Sequence, residues 1–222
     1  DGCSLSTLMR QQSRPFTEGE VFLILPQVLS ALKCMHSQGI YHLDLKPGNI
    51  MMNGEGHCWL IDLGASKQLS TQESQTLSTS TGLCYTPGFA PSEQINGNTK
   101  RIGAWTDFYA FGATLYNLLT NKIPPSPDDI MNEGESIFVF PKEVSSQMRQ
   151  LVIWLMRPLP KNRPQRVEEI EQRLEKTEKR QNSVPTRSVA PALQSKETSQ
   201  KTVRSSNQHS TKPVAKQKYN GK

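Results

Sequence analysis

Apolar residues recur at helical spacing in four stretches of the chain. The longest follows Thr17 and Glu20, which are separated as in a capping box, and extends to Gly39, where a glycine can end a helix. This pattern predicts one long, buried helix, and its apolar positions are Val21, Leu25, Val28, Leu29, Leu32 and Met35. Pro26 lies inside it and removes one helical hydrogen bond, so the helix is either kinked there or begins later than the cap indicates.

The other helical patterns lie in the second half of the chain, over about residues 105–119, 144–156 and 167–174. A small β-hairpin is predicted earlier, because apolar runs at residues 50–52 and 58–61 are separated by Asn53-Gly54-Glu55-Gly56. These turn residues tolerate positive φ. The predicted fold is therefore mainly α-helical with one embedded hairpin.

Charge divides the chain near residue 175. Residues 1–175 contain 15 Lys+Arg and 18 Asp+Glu, a net charge of −3. Residues 176–222 contain 11 Lys+Arg and 2 Asp+Glu, a net charge of +9. The second segment has too few large apolar residues to offset the entropy of ordering. We therefore expect a folded domain over 1–175 and a disordered basic tail or linker, rich in Ser, Thr and Lys, over 176–222. Tyr219 is the only aromatic residue of that tail, so we expect no nucleic acid partner.

The cysteines argue against a metal clip or a disulfide framework. They are far apart, without a CxxC motif or a histidine at zinc-ligand spacing: Cys3, Cys34, Cys58 and Cys84. The longest apolar stretch, residues 21–32, is too short to span a bilayer. We expect no membrane segment in this chain and a cytoplasmic location, either of a whole protein or of the cytoplasmic part of a membrane-anchored parent.

Polar residues suited to phosphate chemistry lie on both sides of the predicted hairpin. Residues 41–49 read Tyr-His-Leu-Asp-Leu-Lys-Pro-Gly-Asn and precede it, and Asp62-Leu63-Gly64 follows it. Two carboxylates, a lysine and an amide therefore meet at the ends of one tight loop. Such a cluster suits phosphoryl transfer, in which a protein holds Mg²⁺ and spreads the charge of the moving group.

These residues resemble the motifs of the eukaryotic-type serine/threonine protein kinase family. His42-Leu43-Asp44, followed by Lys46 and Asn49, is similar to the catalytic-loop motif, and Asp62-Leu63-Gly64 is similar to the metal-binding DFG motif. Further matches are the end of the activation segment at residues 86–93, the anchoring helix around Asp107 and Gly112, and the segment Lys161-Asn162-Arg163-Pro164. The resemblance extends over about residues 2–174.

The resemblance implies a role for each matched polar residue. Asp44 would orient the substrate hydroxyl and accept its proton, and Lys46 would neutralise charge on the transferred phosphoryl group. Asn49 and Asp62 would hold Mg²⁺ ions that bridge the ATP phosphates. Lys46, Asn49, Met51 and Asp62 would contact the nucleotide, so that ATP and Mg²⁺ are the implied cofactors.

Other matched residues have structural interpretations or concern the substrate. Lys46 together with Thr86 is typical of members that phosphorylate serine and threonine, so the resemblance implies protein substrates with these hydroxyls. Four matched residues have simple structural interpretations. His42 is a packed core histidine, Glu93 with Arg163 is a buried ion pair, and Asp107 is a hydrogen-bonding anchor.

Leu43 departs from the family pattern. Most regulated members carry an arginine at this position, a cation that pairs with a phosphorylated activation segment. We therefore hypothesise that activity does not depend strictly on that phosphorylation. Residues 70–81 are nonetheless rich in Ser and Thr, and the candidate phosphorylation sites are Ser78, Thr79, Ser80 and Thr81.

The motifs of the other half of a kinase do not occur in residues 1–222. There is no G-x-G-x-x-G and no Val-Ala-x-Lys, and residues 1–5 already resemble the stretch just beyond the hinge that contacts adenine. We expect a protein-kinase-like fold with the C-terminal lobe only, whose missing N-terminal lobe would be its partner in the parent kinase. Without the lysine that positions the α- and β-phosphates, we expect residues 1–222 to be inactive alone.

Two functions of other classes stay open. One is a pseudokinase or scaffold lobe that acts by protein binding, although such a lobe has no need to keep Asp44, Lys46, Asn49 and Asp62 together. The other is a binding protein for anionic surfaces that acts through its basic tail, which predicts salt-dependent binding without residues 1–175.

Overall fold

The computed structural model describes residues 2–63, 67–68 and 85–182. The expectations for Gly64, for the candidate phosphorylation sites Ser78, Thr79, Ser80 and Thr81, and for tail residues 183–222 lie outside these ranges. Spatial contacts divide the chain into two units, Asp1–Val184 and Pro185–Lys222. All described residues belong to the first unit. None of the described helices is both long and apolar enough to cross a membrane.

The longest helix begins at the predicted cap. Helix α2 covers Glu18–Ser37, and the Thr17 hydroxyl accepts a hydrogen bond from the Glu20 backbone while the Glu20 carboxylate accepts one from the Thr17 backbone. The helix continues through Pro26, so the later start left open by the sequence is wrong. Its apolar face is buried as predicted, at Val21, Leu25, Val28, Leu29 and Leu32.

Helix α4, Ala104–Thr120, lies in the centre of the described residues. Most of its residues are buried, including Phe108, Phe111 and Leu115, and it packs against α2 and against helix α6, Ser146–Leu155. Gly112 permits the close approach to α6, because a Cβ atom there would lie 2.7 Å from the Leu155 Cβ. Both helices were predicted from apolar spacing.

The hairpin is part of a three-stranded antiparallel sheet. Strands β3, Ile50–Asn53, and β4, Cys58–Leu60, pair with Ile50 opposite Leu60, which confirms the predicted hairpin. Strand β1, Gly2–Ser4, adds a third strand that the sequence pattern does not indicate, in the order β1-β3-β4. A second pair joins β2, Ile40–Tyr41, to β5, Lys67–Gln68.

Three further α-helices are short, and the apolar periodicity does not predict them. Helix α1, Leu5–Gln12, has Ser4 as its N-cap, and helix α5, Pro127–Glu133, begins with a capping box of Ser126 and Asp129. Helix α3, Ser92–Ile95, follows Pro91.

The last helix, α7, covers Val167–Asn182 and extends beyond the predicted 167–174. Residues 176–182 of the expected tail are therefore helical. They are polar but are mostly residue types with favourable helix propensity, which explains why the helix continues through them.

Candidate active site

Asp44 lies at the centre of a hydrogen-bonded cluster between the end of β2 and the start of β3. Its Oδ2 atom accepts hydrogen bonds from Lys46 Nζ at 2.7 Å and from Asn49 Nδ2 at 3.0 Å. Its Oδ1 atom accepts one from Thr86 Oγ1 at 2.7 Å. Four residues singled out from the sequence thus meet directly, and the Asp44 side chain keeps 15% of its surface exposed.

Thr86 reaches this cluster because a tight turn holds it there. The Phe89 backbone N–H donates to the Thr86 carbonyl at 3.1 Å, Pro87 and Gly88 occupy the central positions, and Gly88 has φ +86°. Proline followed by a residue with positive φ is the signature of a type II turn. The Thr86 hydroxyl also accepts a hydrogen bond from Lys46 Nζ at 2.8 Å, so it bridges the carboxylate and the ammonium group.

His42 is fully buried and connects the catalytic loop to the end of the hairpin at Ile61. Its Nδ1 atom accepts a hydrogen bond from the Asp44 backbone at 3.3 Å, so the ring proton lies on Nε2, which donates to the Ile61 carbonyl at 3.1 Å. This bond holds the residue that precedes Asp62. The geometry agrees with a structural role for His42.

Asp107 anchors the backbone of the same loop from helix α4. Its Oδ2 atom accepts hydrogen bonds from the His42 backbone at 2.9 Å and from His36 Nε2 at 2.8 Å, and its Oδ1 atom accepts one from the Leu43 backbone at 2.8 Å. Leu43 has φ +63°, a left-handed conformation that leucine adopts only when its surroundings enforce it. The Gln94 side chain donates to the Leu43 carbonyl and supports it from the other side.

Asn49 and Asp62 lie at the same end of the hairpin, because the Ile61 backbone donates to the Asn49 carbonyl at 3.0 Å. The Asn49 amide nitrogen donates to Asp44 twice, to its carbonyl and its carboxylate, so the amide oxygen is the atom of this side chain that could bind a metal. Asp62 has φ +61° and lies on an exposed stretch of chain. Met51 lies on β3 opposite Trp59, two residues beyond Asn49.

Asn49 and Asp62 fit a magnesium ion better than a softer metal. Both offer hard oxygen atoms, and Mg²⁺ commonly takes one or two protein ligands and completes its shell with phosphates and water. Within the described ranges, no three His, Cys, Asp or Glu side chains are grouped closely enough to hold a metal. A metal ion at this site would therefore be held by the Asn49 amide oxygen together with oxygen atoms of the phosphate ligand that brings the metal.

Glu93 and Arg163 form a buried ion pair away from this cluster. The guanidinium donates to the Glu93 carboxylate at 2.6 and 3.1 Å, and both side chains are almost fully buried. Arg163 also donates to the carbonyls of Trp105, Arg157 and Pro158, so all five of its N–H donors are used. Its guanidinium lies over the Tyr109 ring, and burial raises the pKa of that tyrosine.

Sequence patterns missed the residues that support the loop from a distance. Gln94 bonds to the Leu43 carbonyl, 51 positions away in the sequence, and His36 acts through Asp107, 71 positions away, whose carboxylate holds the loop. No motif or periodicity marks such a residue, because its partner is set only by the packing of the helices.

Comparison with known proteins agrees with this geometry. Residues 1–175 match the family model of the protein kinase domain. The chain is 35% identical over 156 residues to serine/threonine-protein kinase F of Synechocystis sp., an alignment that covers 70% of this chain and 31% of that protein. It is 34% identical over 131 residues to serine/threonine-protein kinase STK11 of Gallus gallus, which covers 57% and 29% of the two chains. It is also 28% identical over 163 residues to serine/threonine-protein kinase PLK4 of Drosophila yakuba, covering 72% and 20%.

The chain therefore belongs to the protein kinase family, and its relatives are serine/threonine kinases of the eukaryotic type. The matched part spans about a third or less of the length of these relatives.

Proposed function

We propose that the cluster around Asp44 transfers the γ-phosphate of ATP to serine and threonine hydroxyls of proteins. One observation carries this proposal. The Asp44 carboxylate and the Lys46 ammonium group already hold an aliphatic hydroxyl between them, that of Thr86. A substrate hydroxyl needs the same two neighbours, an acceptor for its proton and a cation beside the transferred group.

The proposed reaction uses each residue for one task. Asp44 accepts the proton of the substrate hydroxyl while the bond from that oxygen to the γ-phosphorus forms and the bond to the β-phosphate oxygen breaks, releasing ADP. Lys46 offsets the charge of the transferred group, and its bond to Asp44 at 2.7 Å keeps it beside the acceptor. Asn49 and Asp62 would hold Mg²⁺, which neutralises phosphate charge when bound. Met51 would contact the nucleotide.

The described residues would form the C-terminal lobe of such an enzyme. Residues 1–222 contain no glycine-rich loop and no Val-Ala-x-Lys, so the adenine and the α- and β-phosphates would need further residues from an N-terminal lobe. We therefore propose that residues 1–222 alone transfer no phosphate. Phosphorylation of a serine or threonine peptide by the purified 1–222 polypeptide would overturn this part of the proposal.

The activity itself is tested in the polypeptide encoded by the complete reading frame that contains this sequence. Transfer of γ-labelled phosphate to serine, threonine and tyrosine peptides is measured for the parent protein and for Asp44→Asn. Loss of a general base lowers rates by about 10²–10⁴-fold, so the variant should fall into this range on serine and threonine peptides. Asp128→Asn, on exposed α5, is the matched control and should keep the parent rate.

Two outcomes would contradict the proposal. Equal rates for the parent protein and Asp44→Asn would remove Asp44 from the chemistry. No transfer by a folded parent protein that binds partner proteins would instead support the scaffold alternative.

Leu43 supports a further part of the proposal, concerning regulation. Its side chain is 2% exposed and uncharged, so the catalytic loop presents no cation at this position. We propose that activity does not require a phosphorylated activation segment. Replacing every Ser and Thr of residues 70–81 by alanine should leave most of the activity, and an inactive but folded variant would refute this.

A further inference from the structure

The Gln27 side chain connects helix α2 to the hairpin. Its Oε1 atom accepts a hydrogen bond from the Cys58 backbone at 2.8 Å, and its Nε2 atom donates to the Gly56 carbonyl at 2.9 Å. The same nitrogen donates to the Leu23 carbonyl one helical turn earlier, at 2.8 Å. The oxygen and both hydrogens of one carboxamide are therefore used.

The bonded groups lie at the outer edge of the sheet and in the turn beside it. Among the described residues, strand β4 pairs on one side only, with β3. The Cys58 N–H is therefore a group that an edge strand leaves unpaired, and the Gly56 carbonyl belongs to the turn just before that strand. Gln27 supplies a donor and an acceptor to this edge, as one residue of a further strand would.

The opposite end of the same hairpin carries the candidate metal ligands. Strand β4 has only three residues, after which Ile61 bonds through its N–H to Asn49 and through its carbonyl to His42. Asp62 follows directly. The hairpin is thus held by Gln27 at its turn and by the catalytic loop at its other end, and the three residues of β4 connect the two points.

We propose that Gln27 is a positioning residue for the metal-binding pair Asn49 and Asp62. By fixing the turn of the hairpin on α2, it fixes the backbone from which both side chains extend. The consequence for metal binding rests on the proposed kinase function. The mechanical coupling between the turn of the hairpin and its opposite end is independent of that function.

The coupling is tested by amide hydrogen exchange in the 1–222 polypeptide, comparing the parent chain with Gln27→Met, which keeps the length and removes the hydrogen bonds. Exchange at Cys58 and at Ile61 should both accelerate, by about five- to tenfold relative to amides of α4, as expected when a buried hydrogen bond is lost. Gln150→Met, on an exposed position of α6, is the matched control and should change neither amide. Faster exchange at Cys58 with an unchanged Ile61 would overturn the proposal, because the effect would then be local.

A second variant addresses the case in which Gln27→Met fails to fold. Gln27→Glu keeps the acceptor for Cys58 but replaces the donor to the Gly56 and Leu23 carbonyls by a carboxylate oxygen that these carbonyls repel, so exchange at Ile61 should still accelerate. An unchanged Ile61 amide in a folded Gln27→Glu variant would again contradict the coupling, whether or not Cys58 exchanges faster.

The consequence for the site is tested in the polypeptide of the complete reading frame. Gln27→Met should raise the Mg²⁺ concentration for half-maximal transfer by about five- to tenfold. It should raise the KM for the peptide by a smaller factor, because Lys46 and Thr86 also hold Asp44 and neither belongs to the hairpin. An equal rise in the peptide KM, or an unchanged Mg²⁺ requirement, would contradict a positioning role. If the parent protein transfers no phosphate, the proposed function fails while the exchange experiment still decides the coupling.

Discussion

Replacing Asp107 by asparagine should destabilise the chain more than any exposed acidic substitution, because one carboxylate supports the whole catalytic-loop backbone. Asp107 is fully buried and accepts three hydrogen bonds with its two oxygens. Asparagine has nearly the same shape but only one acceptor oxygen. The substitution therefore changes the hydrogen bonding and leaves the packing almost intact.

The expected loss of stability follows from the more favourable of the two orientations that the asparagine amide can take. If the asparagine oxygen replaces Oδ2, it keeps the bonds from His36 and from the His42 backbone. Its NH₂ group then faces the Leu43 N–H, so a charge-assisted bond is lost and a buried donor is left without an acceptor. Together these effects cost about 2–4 kcal/mol. Leu43 would also lose the contact that enforces its φ of +63°.

The assay is urea unfolding of the 1–222 polypeptide, followed by tryptophan fluorescence, with the free energy of unfolding extrapolated to water. Asp128→Asn is the matched control and should stay within about 0.5 kcal/mol of the parent chain. A loss below about 0.5 kcal/mol for Asp107→Asn would refute the argument, because three hydrogen bonds to a buried carboxylate could not then contribute as proposed.

Two further stability measurements test single interactions. Arg163→Met should lower the free energy of unfolding by about 3–5 kcal/mol, because it leaves the Glu93 carboxylate buried without its partner. Glu20→Gln should flatten the pH dependence of stability in acid: the hydrogen bond from Arg14 is the main cause that lowers the pKa of Glu20 to about 2. A lowered folded-state pKa contributes stability above the unfolded value of about 4.3, and that stability is lost as the pH falls towards 2. Since the Glu20 side chain is 36% exposed, the screened contribution is about 0.5–1 kcal/mol.

Each measurement has a matched control. Arg166→Met removes a guanidinium whose side chain is 74% exposed and should cost less than about 0.5 kcal/mol, and an equal loss in both variants would contradict the ion-pair argument. Glu143→Gln removes an exposed carboxylate near α6 and should leave the acid limb of the stability curve unchanged. If Glu20→Gln loses as much stability as the parent chain between pH 4.3 and 2, Glu20 does not carry that pH dependence.

Local patterns predicted the elements that have a long apolar face or a marked turn. The capping box of Thr17 and Glu20 gave the start of α2, and the Asn-Gly-rich turn gave the hairpin. The catalytic-loop motif brought Asp44, Lys46 and Asn49 into one prediction, and the structure joins them directly. Thr86, which was singled out for the substrate class, bonds to the same Asp44 carboxylate. Spacing was informative here because the whole catalytic loop is a short continuous segment.

Other features depend on residues that are far apart in the sequence. Gln27 and Gln94 bond to backbone groups, and His36 bonds to the Asp107 carboxylate. Only the folded chain brings these partners near, so no local pattern marks the three residues. Strand β1 was missed because three residues are too few to show an alternation. The end of α7 was placed too early because residues 176–182 lack apolar side chains, although their helix propensity is sufficient to extend a helix that is already formed.

Asn49 and Asp62, at one end of the hairpin, are proposed to form a single phosphoryl-transfer site with the catalytic loop. The decisive experiment is a Mg²⁺ titration of phosphate transfer in the polypeptide of the complete reading frame, for the parent protein and for Asp62→Asn. We expect the parent protein to transfer phosphate with saturating dependence on Mg²⁺, and Asp62→Asn to reach less than about 1% of that rate at the same Mg²⁺ concentrations, because a metal ligand is lost. Parent-like transfer by a folded Asp62→Asn variant at the same Mg²⁺ concentration would contradict it.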